Sequence, residues 1–155
     1  MDLTKLQLGD WVMRKSDLNN TGSSYPVKVT GFEHTDENAT KFDVRTSNRD
    51  CTYFNMVFHE NDIEPIEITN EFWLKNDFMS ATPAYTPKKT INSYFYDLNN
   101  GWVISVWADW SKTNNKWQVT LDNDDEIEVI KVELTYVHEL QHFLKQYNIN
   151  KEVIL

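Results

Sequence analysis

Asn92-Ser93-Tyr94-Phe95-Tyr96-Asp97-Leu98, then Asn99-Asn100-Gly101, then Trp102-Val103-Ile104-Ser105-Val106-Trp107-Ala108: two runs rich in aromatic and β-branched residues flank a turn. Asn-Gly accepts positive φ at low cost, so the spacing predicts a β-hairpin and hence an antiparallel sheet. Alternation along the second run puts Trp102, Ile104 and Val106 on one face and Val103, Ser105 and Trp107 on the other. Toward the C-terminus, Lys116 to Leu121 and Ile127 to Val132 read as further strands, with the acidic turn Asp122-Asn123-Asp124-Asp125 between them. Thr135 is then placed to cap a last helix reaching about Tyr147.

Toward the N-terminus, the segment 79–90 holds Pro83, Pro87, Lys88 and Lys89 and is the one linker-like stretch. Before it, Thr69 suits the N-cap of a short helix over Asn70 to Asn76. The first half reads as short strands over Asp10–Arg14, Pro26–Phe32, Lys41–Arg45 and Tyr53–Phe58, the last three alternating at period two. Short strands with polar turns predict a curled sheet or an SH3-like barrel. The order β-rich, helix, β-rich, helix gives an α+β fold: that sheet or barrel, plus a second antiparallel sheet packed by the C-terminal helix. The expected division is a β-rich lobe over 1–78 ending in the short helix, and strands plus helix over 91–155, together one compact unit.

Fifteen basic and twenty-four acidic residues give a net charge of −9 over 155 residues. Duplex nucleic acid is disfavoured as a partner, because its binding draws on clustered cations that displace counterions. A compact phosphorylated metabolite needs only a few local cations. Cys51 is the single cysteine and cannot form an intramolecular bridge. With no basic and apolar leader at Met1–Lys5, that points to the cytoplasm. No apolar run approaches membrane-spanning length.

His138-Glu139-Leu140-Gln141-His142 matches H-E-x-x-H on the expected helix, a pattern that can ligate Zn²⁺ through two imidazoles while the Glu serves as base. A zinc hydrolase needs a third ligand. A Gly and a His further along the helix would continue the motif, but the chain has Lys145 and Asn148 there. Val137, Leu140, Leu144 and Tyr147 instead repeat as a buried stripe, which leaves His138, Glu139, His142, Lys145 and Gln146 toward solvent. Asp122–Glu126 starts like a Ca²⁺ loop but lacks the glycine at loop position six, so a solvated turn is read there. With four glycines in all, no phosphate-cradling glycine motif occurs. No catalytic residue, metal site or cofactor is assigned.

Three segments resemble a known family: Leu8-Gly9-Asp10-Trp11-Val12 with Pro26-Val27-Lys28-Val29; Ile63 through Phe78; and Tyr136-Val137-His138-Glu139-Leu140-Gln141-His142. They are similar to small uncharacterised proteins of gut Bacteroidetes and of their phages and mobile elements. Where those proteins read VHQLQN, this chain has Val137 through His142, so the resemblance implies neither the base nor the second histidine. It implies an accessory gene of a phage or mobile element, and no activity.

The expected function is non-enzymatic binding, with counter-defence by capture of a small nucleotide signal as its form. Four of the six tryptophans fall between residues 102 and 117, in the segment least like the family. The candidate ligand-binding residues are Trp107, Trp110, Trp117, Tyr96, Lys112 and Lys116: indoles to stack on a planar ligand and ammonium groups to meet its anion. Alternatively, these tryptophans cover the sheet beneath the C-terminal helix. The alternatives in function are an inhibitor or interaction module that binds a host protein, with a homo-oligomer compatible, and a zinc hydrolase through His138, Glu139 and His142.

Overall fold

The computed structural model describes residues 5–15, 24–34, 42–47, 56–81, 92–108, 116–123 and 130–155. They form two five-stranded antiparallel sheets and two α-helices, an α+β fold. The chain divides into a unit of Met1–Glu67 with Tyr136–Asn150 and a unit of Ile68–Thr135 with Lys151–Leu155.

In the first unit, β1 (Trp11–Arg14), β2 (Tyr25–His34), β3 (Phe42–Ser47), β4 (Met56–Phe58) and β5 (Ile63–Pro65) pair in the order β4-β3-β2-β1-β5. A one-turn 3₁₀ helix, Glu60–Asp62, turns the chain into β5. The ten-residue β2 shifts register between Val29 and Gly31, the irregularity that lets one long strand bend. Bending stops short of closure, and the sheet is not a barrel. Leu6, Val12, Val27, Val29, Phe58 and Ile63 form its buried cluster. Helix α2 (Val137–Gln146) belongs to this unit and buries Val137, Leu140, Phe143 and Leu144.

In the second unit, α1 (Asn70–Lys75) starts where expected: Thr69 Oγ1 accepts the Phe72 N–H at 3.3 Å. Strands β6 (Met79–Ser80), β7 (Ser93–Asp97), β8 (Trp102–Ala108), β9 (Trp117–Asn123) and β10 (Ile130–Leu134) follow as a simple meander. The β7–β8 hairpin closes through Leu98 N–H to Trp102 C=O at 2.9 Å. Asn99 and Gly101 take φ of 59° and 82°, the left-handed region that Asn and Gly tolerate best. Ile104, Val106 and Val119 are fully buried on one sheet face, with Trp73 and Trp117 edge to face at 5.5 Å. Buried Asn76 donates to Phe72 C=O and Ile154 C=O, both at 2.9 Å, and accepts Ile154 N–H at 2.8 Å. The C-terminal segment is thereby fastened to α1.

The C-terminal helix lies in the first unit. Helix α1 belongs to the second unit and buries Phe72 and Trp73. Helix periodicity reveals which face is apolar but not which sheet receives it. No helix among the described residues is long and apolar enough to cross a membrane.

Candidate binding face

Strand register sorts the side chains of the second sheet. Trp107 stands opposite Ser93 on β7 and Gln118 on β9, and Ser105 stands opposite Phe95 and Thr120. Gln118 and Thr120 in turn face Glu133 and Lys131 on β10. Directly opposed residues share a face, so these side chains lie away from the core residues Ile104, Val106 and Val119. Lys131 reaches across β9 and sets its ammonium 5.8 Å from the centre of the Trp107 ring, within cation–π range. Gln118 and Thr120 lie under that crossing and are buried. Beside it, Glu133 accepts from Lys116 Nζ at 3.2 Å and from Gln118 Nε2 at 3.4 Å. Thr120 Oγ1 donates to Asp122 at 2.9 Å. The half-buried indole thus has the short side chains of Ser93 and Ser105 as neighbours and a cation over its ring.

Of the six expected ligand residues four are described, and these divide between the two faces of the sheet. Trp117 is a core residue, 6% exposed; its Nε1–H donates to Ile68 C=O at 3.0 Å and its ring packs on Trp73 and Tyr94. Trp117 pairs with Leu134 and Ala108, which fixes it on the core face, opposite to Trp107. Tyr96 is on that core face too, packed on Phe78, and the Lys151 ammonium covers its ring at 3.8 Å. Lys116 is engaged by Glu133. Trp110 and Lys112 lie outside the described residues. Lys131 is the residue that sequence reasoning missed, and strand pairing brings it to Trp107.

The H-E-x-x-H helix corrects the expected solvent-facing phase of His138. His138 is not on a wet face but 6% exposed, stacked on Tyr136 at 5.8 Å and edge-on to His142 at 5.8 Å. Its Nδ1 has no hydrogen-bond partner, and burial pushes its pKa below the ordinary value, against the opposing pull of Asp10 and Glu139. Glu139 accepts the Tyr136 N–H at 3.0 Å, which makes it a helix cap. His142 Nε2 is 2.8 Å from buried Asp10, whose carboxylate also accepts Gln7 N–H at 2.7 Å. Gln141 completes the anchor by accepting Trp11 N–H at 2.9 Å and donating to Gly9 C=O at 3.1 Å. The motif residues thus tie α2 to the edge of β1. Among the described residues no group of three or more His, Cys, Asp and Glu could hold a metal ion.

Comparison with family models, with curated proteins and with solved structures finds no match to this chain.

Proposed function

We propose that this chain is a non-enzymatic binding protein of phage or mobile-element type that captures a small, planar, anionic ligand of the nucleotide class at Trp107 and Lys131. The observation that carries the reading is the Lys131 ammonium 5.8 Å from the Trp107 ring centre, on the polar face of the sheet and beside serines. A base stacked on the indole gains about 1–3 kcal/mol, and the adjacent ammonium meets the phosphate. The −9 net charge limits the ligand to a compact anion, because a long polyanion would meet repulsion beyond the site. The likeness of three framework segments to phage and mobile-element proteins supports the setting, in which capture of a cyclic or linear nucleotide signal would counter a host defence. A hydrolase reading through the H-E-x-x-H helix loses its support, since Glu139 caps the helix and His142 is held by Asp10.

Titration of tryptophan fluorescence with mononucleotides and cyclic dinucleotides tests the proposal. The expected result is quenching that Trp107→Ala abolishes and Lys131→Ala weakens about tenfold or more, while Trp117→Phe lowers stability and leaves the ligand affinity of the folded fraction intact. If none of these nucleotides quenches, the nucleotide reading is wrong. A second reading, docking of a host protein, rests on Leu74 and Met79, 54% and 52% exposed in the adjoining α1 and β6.

A further inference from the structure

We propose that the chain associates with a second copy of itself through β10, the two strands pairing antiparallel about a two-fold axis at Val132. Among the described strands β10 stands at the edge of its sheet, bonded to β9 alone, so its outer backbone groups suit another strand. Its sequence is Ile130-Lys131-Val132-Glu133-Leu134. Laid against itself with Val132 opposite Val132, it puts Lys131 opposite Glu133 twice and Ile130 opposite Leu134 twice.

The neighbouring registers are worse for reasons that can be read from the same five residues. Sliding two residues one way brings Lys131 against Lys131; sliding the other way brings Glu133 against Glu133. Like charges directly opposed are destabilising. A one-residue slip sets the charged side chains across from the apolar ones and sends them to the wrong face. Only the Val132-centred register satisfies both the charges and the alternation.

Burial agrees with this register. Lys131 and Glu133 are exposed on the polar face, whereas Ile130 and Val132 are half-buried toward the core side and gain cover from the symmetry mate. Glu133 already meets Lys116 and Gln118, so a second lysine arriving across the strand extends an existing charge network. The contact is isologous, one patch meeting its own copy, which closes at a dimer and does not propagate. Five paired residues bury less than the roughly 800 Å² per partner of a standard interface, so the dimer forms in a concentration-dependent way. This inference shares Lys131 with the ligand reading but does not require a ligand, and its readout is mass, so either reading can fail without the other.

Sedimentation velocity on the intact chain, from low micromolar to about 1 mM so that weak association registers, is the first test. The expected result is a mass that climbs from monomer to dimer; a monomer at every concentration overturns the proposal. Lys131→Glu and Glu133→Lys, each alone, oppose like charges in the symmetric register and should be monomeric, with far-UV circular dichroism confirming the fold. Mixed in equal amounts, the two variants present opposite charges at every opposed pair, and a heterodimer should return. A dimer that survives in either single variant overturns the β10 assignment, as does a mixture that stays monomeric while the wild type dimerises.

Discussion

His138 carries an imidazole into a place that favours its neutral form. Tyr136 covers one ring face, His142 abuts the ring, and Nδ1 is buried without a partner. Burial is the main cause of its lowered pKa; Asp10 and Glu139 favour the proton, whereas His142 and Lys5 oppose it. The sign of the consequence follows from linkage. As pH falls below the ordinary histidine value of about 6.5, the unfolded chain takes up a proton that the fold resists. The stability contributed by neutral His138 is therefore complete above that value and declines as pH drops through the lowered one. Urea midpoints measured at about pH 8 and about pH 5 should fall less in His138→Phe, which keeps a ring against Tyr136, than in the wild type. An unchanged pH slope would show that other groups carry the dependence.

At the scale of elements, α2 is held by a cap, a stripe and a clamp. Glu139→Ala removes the carboxylate that accepts the Tyr136 N–H and should cost about 0.5–2 kcal/mol, in the range of lost N-terminal caps. Leu140→Ala empties a site that is 1% exposed and should cost about 2–5 kcal/mol. Denaturant midpoints check both, and a neutral Glu139→Ala would return that side chain to the solvated role its spacing suggests. Local signals were the legible ones. Thr69 before α1 and Asn99-Asn100-Gly101 before β8 act within a few residues, so the helix start and the hairpin could be read from the chain. The parity of β8 was legible too, with Ile104 and Val106 opposite in face to Trp107. Long-range partners were not legible. Gln141 meets Trp11 and Gly9, and His142 meets Asp10, each more than a hundred residues away, and no spacing along α2 encodes them. The opposite faces of Trp117 and Trp107 were illegible for the same reason: alternation cannot relate one strand to another until the register is known.

At the scale of the whole molecule, the chain passes between its two units after Glu67, after Thr135 and after Asn150. The final crossing makes a specific prediction, because the last five residues belong to the second unit. Val153 is 5% exposed, the Lys151 ammonium covers Tyr96, and Asn76 spends two of its three hydrogen bonds on Ile154. Ending the chain at Asn150 uncovers apolar surface worth about 1.5–3 kcal/mol and leaves buried amide groups of Asn76 unpaired, at about 1–3 kcal/mol more. A loss on the order of 3–4 kcal/mol is a large share of the 5–15 kcal/mol typical of a domain. Amide exchange protection in β7, β8 and β9 should therefore fall by about 10²–10³-fold, since each 1.4 kcal/mol is tenfold. Protection in β1, β2 and α2 should change far less, because their anchors, Asp10 with His142 and Gln141 with Trp11, lie wholly within the first unit. Hydrogen–deuterium exchange read peptide by peptide separates the outcomes. Equal loss of protection in both units would mean that they unfold in one cooperative step and would refute the division of labour assigned to the tail.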